Sequence, residues 1–146
     1  MYNIVFFEAN NGIDGAELWR SDGSNSGTYM LKDINVGNSN SFPNNFFTFN
    51  NLLFFSANNG TNGVELWYSD GTATGTNLLK DIYVGNQSSY PVNFFILNNY
   101  FYFVANNGID GYELWKSNGT ANGTNLVINI RPGSLSGLNF DNNFLI

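Results

Sequence analysis

The sequence predicts an all-β fold assembled from tandem copies of one unit, and three observations carry that prediction. Residues 65–76 read Glu-Leu-Trp-Tyr-Ser-Asp-Gly-Thr-Ala-Thr-Gly-Thr, and nearly the same pattern stands 48 residues earlier, at 17–28, and 48 later, at 113–124. A fixed interval of that size marks a repeat architecture. Apolar residues fall in short runs rich in Phe, Leu, Val and Tyr, separated by Asn- and Gly-containing turns, and no stretch carries helical periodicity. Four such runs fit each unit, and four antiparallel strands in about 40–50 residues, repeated, is how a β-propeller blade is written. The expected architecture is three four-stranded antiparallel blades of 48 residues each, in one repeat domain spanning 1–146, with repeats at about 1–48, 49–96 and 97–146.

The first strand of each unit is expected at 4–9, 52–57 and 100–105. The density of large apolar residues there suits a strand buried on both faces. A hairpin loop follows at 10–15, 58–63 and 106–111, whose Asn and Gly residues supply positive φ and side-chain turn bonds. The second strand, 16–21, 64–69 and 112–117, carries the signature; period-two alternation puts Glu17 and Trp19 on one face and Leu18 and Arg20 on the other. The next turn, 22–27, 70–75 and 118–123, opens on Asp22, Asp70 or Asn118, each able to accept backbone N–H bonds. The third strand is expected over 28–34, 76–82 and 124–130. The fourth is expected near 44–49 and 92–97, behind Pro43 and Pro91, where a missing N–H costs least.

Composition removes several functional classes. Cysteine and histidine are both absent, so disulfides, thiolate metal sites and Ser-His-Asp or Cys-His catalysis are excluded. The formal charge is −6, and the five basic residues, Arg20, Lys32, Lys80, Lys116 and Arg131, are scattered along the chain. Phosphate-backbone binding needs concentrated positive charge, so neither nucleic acid nor an anionic membrane surface is an expected partner. No run approaches the roughly 18–20 apolar residues of a transmembrane helix, and no membrane insertion is expected. Met1 leads directly into a strand-like segment without a secretory leader pattern.

The signature resembles the bacterial ELWxxDGT repeat family. The matching residues are Glu17-Leu18-Trp19 with Asp22-Gly23, Glu65-Leu66-Trp67 with Asp70-Gly71-Thr72, and Glu113-Leu114-Trp115 with Asn118-Gly119-Thr120. Gly27-Thr28 with Lys32-Asp33-Ile34, and Gly75-Thr76 with Lys80-Asp81-Ile82, are similar to the family as well. The resemblance implies a secreted or surface-exposed bacterial repeat protein with a propeller fold, and it brings no catalytic residues. The third repeat departs from the pattern at Asn118 and at Ile128-Asn129-Ile130, as terminal repeats commonly do. Its Arg131-Pro132-Gly133 is nearer the family's Pro-Gly ending than Asn35-Val36-Gly37 is, and 142–146 aligns with 50–54 as the start of a further first strand.

Propellers close with typically four to eight blades, so three leave an apolar sheet face open at each end. Three solutions stand: two chains forming a six-bladed ring, head-to-tail growth into a filament, or a chain that is one piece of a longer array. The expected partner is therefore a second copy of the chain. The expected function is a non-enzymatic, extracellular structural or adhesive module that self-associates. The alternative is a lectin-like module with one shallow glycan site per blade, where near-identical repeats would favour multivalent binding.

Candidate functional residues each carry an architectural reading beside the functional one. Trp19, Trp67 and Trp115, with Tyr68, Tyr83 and Tyr90, offer aromatic faces to a sugar ring, but large aromatics at recurring strand positions ordinarily fill β cores. Glu17, Glu65 and Glu113 would need a second carboxylate at fixed separation for glycoside hydrolysis. One per repeat instead suggests a buried group that accepts N–H bonds from a neighbouring loop. Asp14 and Asp110, beside Asn10, Asn11, Asn106 and Asn107, form a sparse oxygen set for Ca²⁺, although Asn62 interrupts the series and turn stabilisation explains them as well. No other cofactor is expected. Asn59, Asn86, Asn118 and Asn122 begin Asn-x-Ser/Thr triplets that would be attachment points in a glycosylating organism.

Overall fold

The computed structural model describes residues 4–138 and contains only β-structure, in three antiparallel sheets. The first sheet has three described strands, β1 (Val5–Asn10), β2 (Ala16–Ser21) and β3 (Tyr29–Lys32). The second has β4 (Asn44–Phe49), β5 (Leu52–Asn58), β6 (Val64–Ser69) and β7 (Asn77–Lys80) in that spatial order. The third repeats it with β8 (Val92–Leu97), β9 (Tyr100–Asn106), β10 (Tyr112–Ser117) and β11 (Asn125–Ile128). Four strands per sheet thus hold for the second and third sheets, whereas the first has three among the described residues. Residues 142–146, aligned above with a further first strand, lie outside the described residues.

The sheets are out of phase with the sequence units. The fourth strand of a unit does not close its own sheet: β4 pairs with β5, and β8 with β9. The hairpin between β4 and β5 turns on Asn50 and Asn51, with φ of 49° and 64°, the left-handed pair a two-residue type I′ turn requires. A bulge between Asn44 and Phe47, with Asn45 at φ 55°, kinks β4, and Asn93 repeats it in β8. The third strands are shorter than expected, ending at Lys32, Lys80 and Ile128. Beyond them Ile34, Ile82 and Ile130 leave the ladder to donate their N–H groups to the signature glutamates.

The core lies between sheets. Leu18, Leu31 and Ile34 of the first sheet pack on Leu53, Phe55, Ala57 and Trp67 of the second. The other face of the second sheet, with Phe49, Phe54, Leu66, Leu79 and Ile82, packs on Phe101, Phe103, Ala105 and Trp115 of the third. Alternation along β5 therefore feeds both junctions, and Leu53 to Ala57 are all buried. β1, by contrast, has no fully buried residue. A run of phenylalanines binds the second junction: Phe49 meets Phe54 and Phe101 at ring-centroid distances of 6.4 and 5.3 Å, and Phe47 stacks on Phe94 at 5.6 Å.

Candidate functional site

The signature glutamates hold the segments that carry the chain from one sheet to the next. Glu17 accepts bonds from Ile34 N (2.7 Å), Ser41 N (3.0 Å) and Ser41 Oγ (2.6 Å). Glu65 accepts from Ile82 N (2.8 Å), Ser89 N (2.9 Å), Ser89 Oγ (2.6 Å) and, at the margin, Tyr83 N (3.4 Å). Glu113 accepts from Ile130, Arg131 and Gly137 N, with glycine where the others have serine. All three residues are fully buried. Burial raises the Glu17 carboxyl above its ordinary value and pushes Glu65 up to about 7, because the loss of water outweighs the donors that favour the anion. The connector so held reaches forward as well: Ser41 O accepts Asn58 N and Ser89 O accepts Asn106 N, each on the following sheet. One carboxylate per junction, with its oxygens occupied by loop donors, is architectural chemistry.

The tryptophans sit in the junctions. Trp67 and Trp115 are each 6% exposed, leaving them no open face for a sugar ring. Trp115 donates its indole N–H to Ala105 O. Trp19, the corresponding residue of the first sheet, is only half-buried, because no sheet covers it among the described residues. Tyr68 packs on the second junction from the side, the Tyr83 ring lies against Gly108, and Tyr90 is exposed at φ 48°. The cleft described below is lined by none of these tyrosines and by no tryptophan.

Asp22 and Asp70 tie their turns: Asp70 Oδ1 accepts Thr72 N and Oγ1 at 2.9 and 2.7 Å, and Asp22 treats Ser24 the same way. These bonds lower both carboxyl groups below their ordinary value. Asn118 serves the third turn through Thr120 N and Oγ1, so the substitution keeps the acceptor. The two calcium candidates are engaged in their own loops, Asp14 with Asn11 Nδ2 and Asp110 with Asn107 Nδ2. Among the described residues no three acidic groups cluster. Of the sequon asparagines, Asn59 spends its Nδ2 on Asn62, whereas Asn86, Asn118 and Asn122 are exposed.

A second pairing links loop and connector, and the sequence alone did not suggest it. Asn62 Nδ2 donates to Asp81 Oδ2 at 2.8 Å; in the third repeat the residues exchange roles, and Asn129 Nδ2 donates to Asp110 Oδ1 at 2.6 Å. The first repeat has Asp14 and Asp33 at these positions, two acceptors with no proton to share when ionised. Lysines add a further latch: Lys32 Nζ donates to Thr76 O (2.5 Å) and Ala73 O, and Lys80 Nζ to Thr124 O (2.5 Å) and Ala121 O. Their recurrence within Lys-Asp-Ile is visible in the sequence; that they reach into the next sheet's turn is not.

The ends of the stack differ from its interior. Ile130 is 50% exposed where Ile34 and Ile82 are 5%, and Val127 is 41% exposed where Leu31 and Leu79 are nearly buried. At the other end Val5 is 54% exposed where Leu53 and Phe101 are buried, and Thr28 is open where Thr76 and Thr124 are covered. A cleft of about 510 Å³ opens between the first two sheets, with an apolar wall of Ile4, Phe6, Leu52 and Leu53 and a rim of Arg20, Asn51, Asp70 and Thr72. Arg20 Nη1 closes one side by donating to Gly71 O. No helix among the described residues is long and apolar enough to cross a membrane. Comparison with protein-family models, with curated proteins and with solved structures returns no match.

Proposed function

We propose that the chain is a non-enzymatic structural or adhesive repeat module of the bacterial cell surface or exterior, whose sheets are propeller blades and which works by binding further copies of itself through its terminal sheets. One observation carries this reading: positions buried inside both internal junctions are apolar and exposed at the two ends, Ile130 and Val127 on one side and Val5 on the other. Apolar surface of that kind is stabilised by association, at roughly 25 cal/mol per Å² removed from water. The two end faces are also complementary in kind, since one corresponds to the donor face of an internal junction and the other to the acceptor face. Copies joined this way form a heterologous contact, which closes into a six-bladed pair or continues as a fibre according to the rotation per step.

The resemblance of the Glu-Leu-Trp signature to the ELWxxDGT repeats supports the bacterial, extracellular setting. An exterior rich in Asn, Ser and Thr with few charges also suits a surface that interacts by hydrogen bonding and shape. The test is the mass in solution, by sedimentation or light scattering across a wide dilution series. A pair or a longer series is expected; a 16.2 kDa particle at every concentration would overturn the proposal.

A further inference from the structure

The hairpin loops 10–15, 58–63 and 106–111 and the connectors beyond the third strands form one continuous rim. Within each repeat the loop rests on its own connector: Ala16 N donates to Asn40 Oδ1, Val64 N to Ser88 Oγ and Tyr112 N to Ser136 Oγ. Each of the first two connectors then abuts the next repeat's loop, with Asn35 against Gly60 and the Tyr83 ring against Gly108. Loop and connector thus alternate along the rim through all three repeats.

The most exposed large apolar residues among those described all stand on this rim: Val36, Val84, Ile13 and Ile109, each 72–84% exposed. The next in order, Leu135, lies in the third connector. Turns ordinarily carry Gly, Asn, Asp or Ser at such places. Apolar residues scattered singly over a surface need no explanation, but these recur at two equivalent positions along one edge. Thr61 and Pro132 take those positions in the remaining copies. The tips are also held in place. Asn11 Oδ1 accepts Ile13 N and Asp14 N, and Asn107 Oδ1 accepts Ile109 N and Asp110 N. Asp33 and Asp81 close the turns that carry the valines by accepting Gly37 N and Gly85 N. A rim ordered in advance loses little freedom when a partner binds.

Each apolar tip therefore has a carboxylate in its own turn: Asp14, Asp33, Asp81 and Asp110. Against these four the described rim carries one basic residue, Arg131. Arg20, Lys32 and Lys80 donate to Gly71 O, Thr76 O and Thr124 O at the opposite ends of the signature strands, and Lys116 lies over the Tyr100 ring.

We propose that this rim binds a cationic polypeptide segment in which Lys or Arg alternates with apolar residues. The apolar side chains pack on the valine and isoleucine tips, and the basic ones face the four carboxylates. Charge complementarity selects this partner. An anionic bilayer would be repelled by the same carboxylates, and the tips lack the Trp and Tyr that mark a membrane interface. Repetition of the tip gives one segment several weak contacts at once. The rim is built within a single chain, so this partner is additional to the copies that meet the terminal sheets.

The probe is a synthetic peptide of four Lys-Val-Gly units, which extends to about 40 Å and so crosses three sheets packed about 10 Å apart. Titration calorimetry should show binding that weakens as salt rises from about 0.05 to about 0.5 M. Val36→Ser combined with Val84→Ser changes exposed positions only, with circular dichroism confirming the fold, and should weaken binding by about tenfold or more. Peptides of Glu-Val-Gly or Lys-Ser-Gly units should bind weaker by about the same factor. No binding of the Lys-Val-Gly peptide, equal binding of either control, or an unchanged affinity in the double variant overturns the proposal. So does binding to phosphatidylcholine vesicles that the double variant abolishes, which would make the rim a lipid contact. Self-association is read separately by sedimentation and stands or falls without regard to these results.

Discussion

Glu65 makes stability depend on pH in the direction opposite to ordinary acid denaturation. Its carboxyl is fully buried in the second sheet and titrates near 7, against about 4.5 in a solvated chain. Between those values the folded protein binds a proton that the unfolded chain has released, so the stability difference falls as pH rises. The contribution is fully present below 4.5 and is lost through 7. At about 1.4 kcal/mol for each pH unit separating the two values, the loss amounts to about 3 kcal/mol. Glu17, raised by the same burial, adds to the slope in the same direction. Asp22 and Asp70 act oppositely: their lowered values give stability above about 3.8 that is lost as pH falls. Resistance to urea should therefore peak in mildly acidic solution, between these limits. The assay is urea unfolding by tryptophan fluorescence at pH 5 to 8 and constant protein concentration, comparing wild type with Glu65→Gln. The variant should unfold more easily at pH 5, since its amide nitrogen would face N–H donors that now bind an oxygen, and its pH slope should be visibly flatter. Equal slopes for the two proteins, or a wild type that gains stability from pH 5 to 8, would refute the reasoning.

Three further substitutions bear on the contacts between and within repeats. Asp14→Asn gives the first repeat the Asn–Asp pair that the second and third already have, and should stabilise by about 1 kcal/mol, seen as a rise of a few degrees in melting temperature. Lys80→Met removes a charged donor from Thr124 O and Ala121 O and should cost about 1.5–3 kcal/mol, read as a lower urea midpoint with an unchanged m-value. Gly75→Ala would set a methyl carbon 2.0 Å from Asp70 Oδ1. The turn must open to admit it, at a cost of about 1–3 kcal/mol, measurable by calorimetry.

The positions of the strands along the chain were largely legible because period-two alternation and Asn-Gly turns act locally. The signature strand, 16–21, 64–69 and 112–117, lies where alternation put it. The pairing partner of the fourth strand was not legible, since a 48-residue period repeats identically whichever unit a strand joins. Only the direction of the connector decides that, and the connector is held by hydrogen bonds that Glu17 and Glu65 accept from N–H groups 17 to 24 positions away. The third strands looked longer than they are for a related reason. Leu31 and Ile34 are both apolar and both buried, but Ile34 is buried as an anchor off the ladder. The loop–connector pairs were hidden because Asn and Asp are common in turns, and their meaning emerges only when positions 19 residues apart are read together.

The third repeat differs from the others where a repeat faces its successor and hardly at all where it faces its predecessor. Phe101 and Phe103, which look back toward the second sheet, are fully buried, and Trp115 beside them is 6% exposed. Forward of them, lysine has become Ile128, the serine beside the buried glutamate has become Gly137, and Val127 and Ile130 stand open. Yet apolar character is kept on this forward face, which a capping repeat would replace with polar residues to remain soluble alone. A surface that loses its lysine latch but keeps its apolar residues, at the positions the internal junctions use, is what the proposed self-association requires.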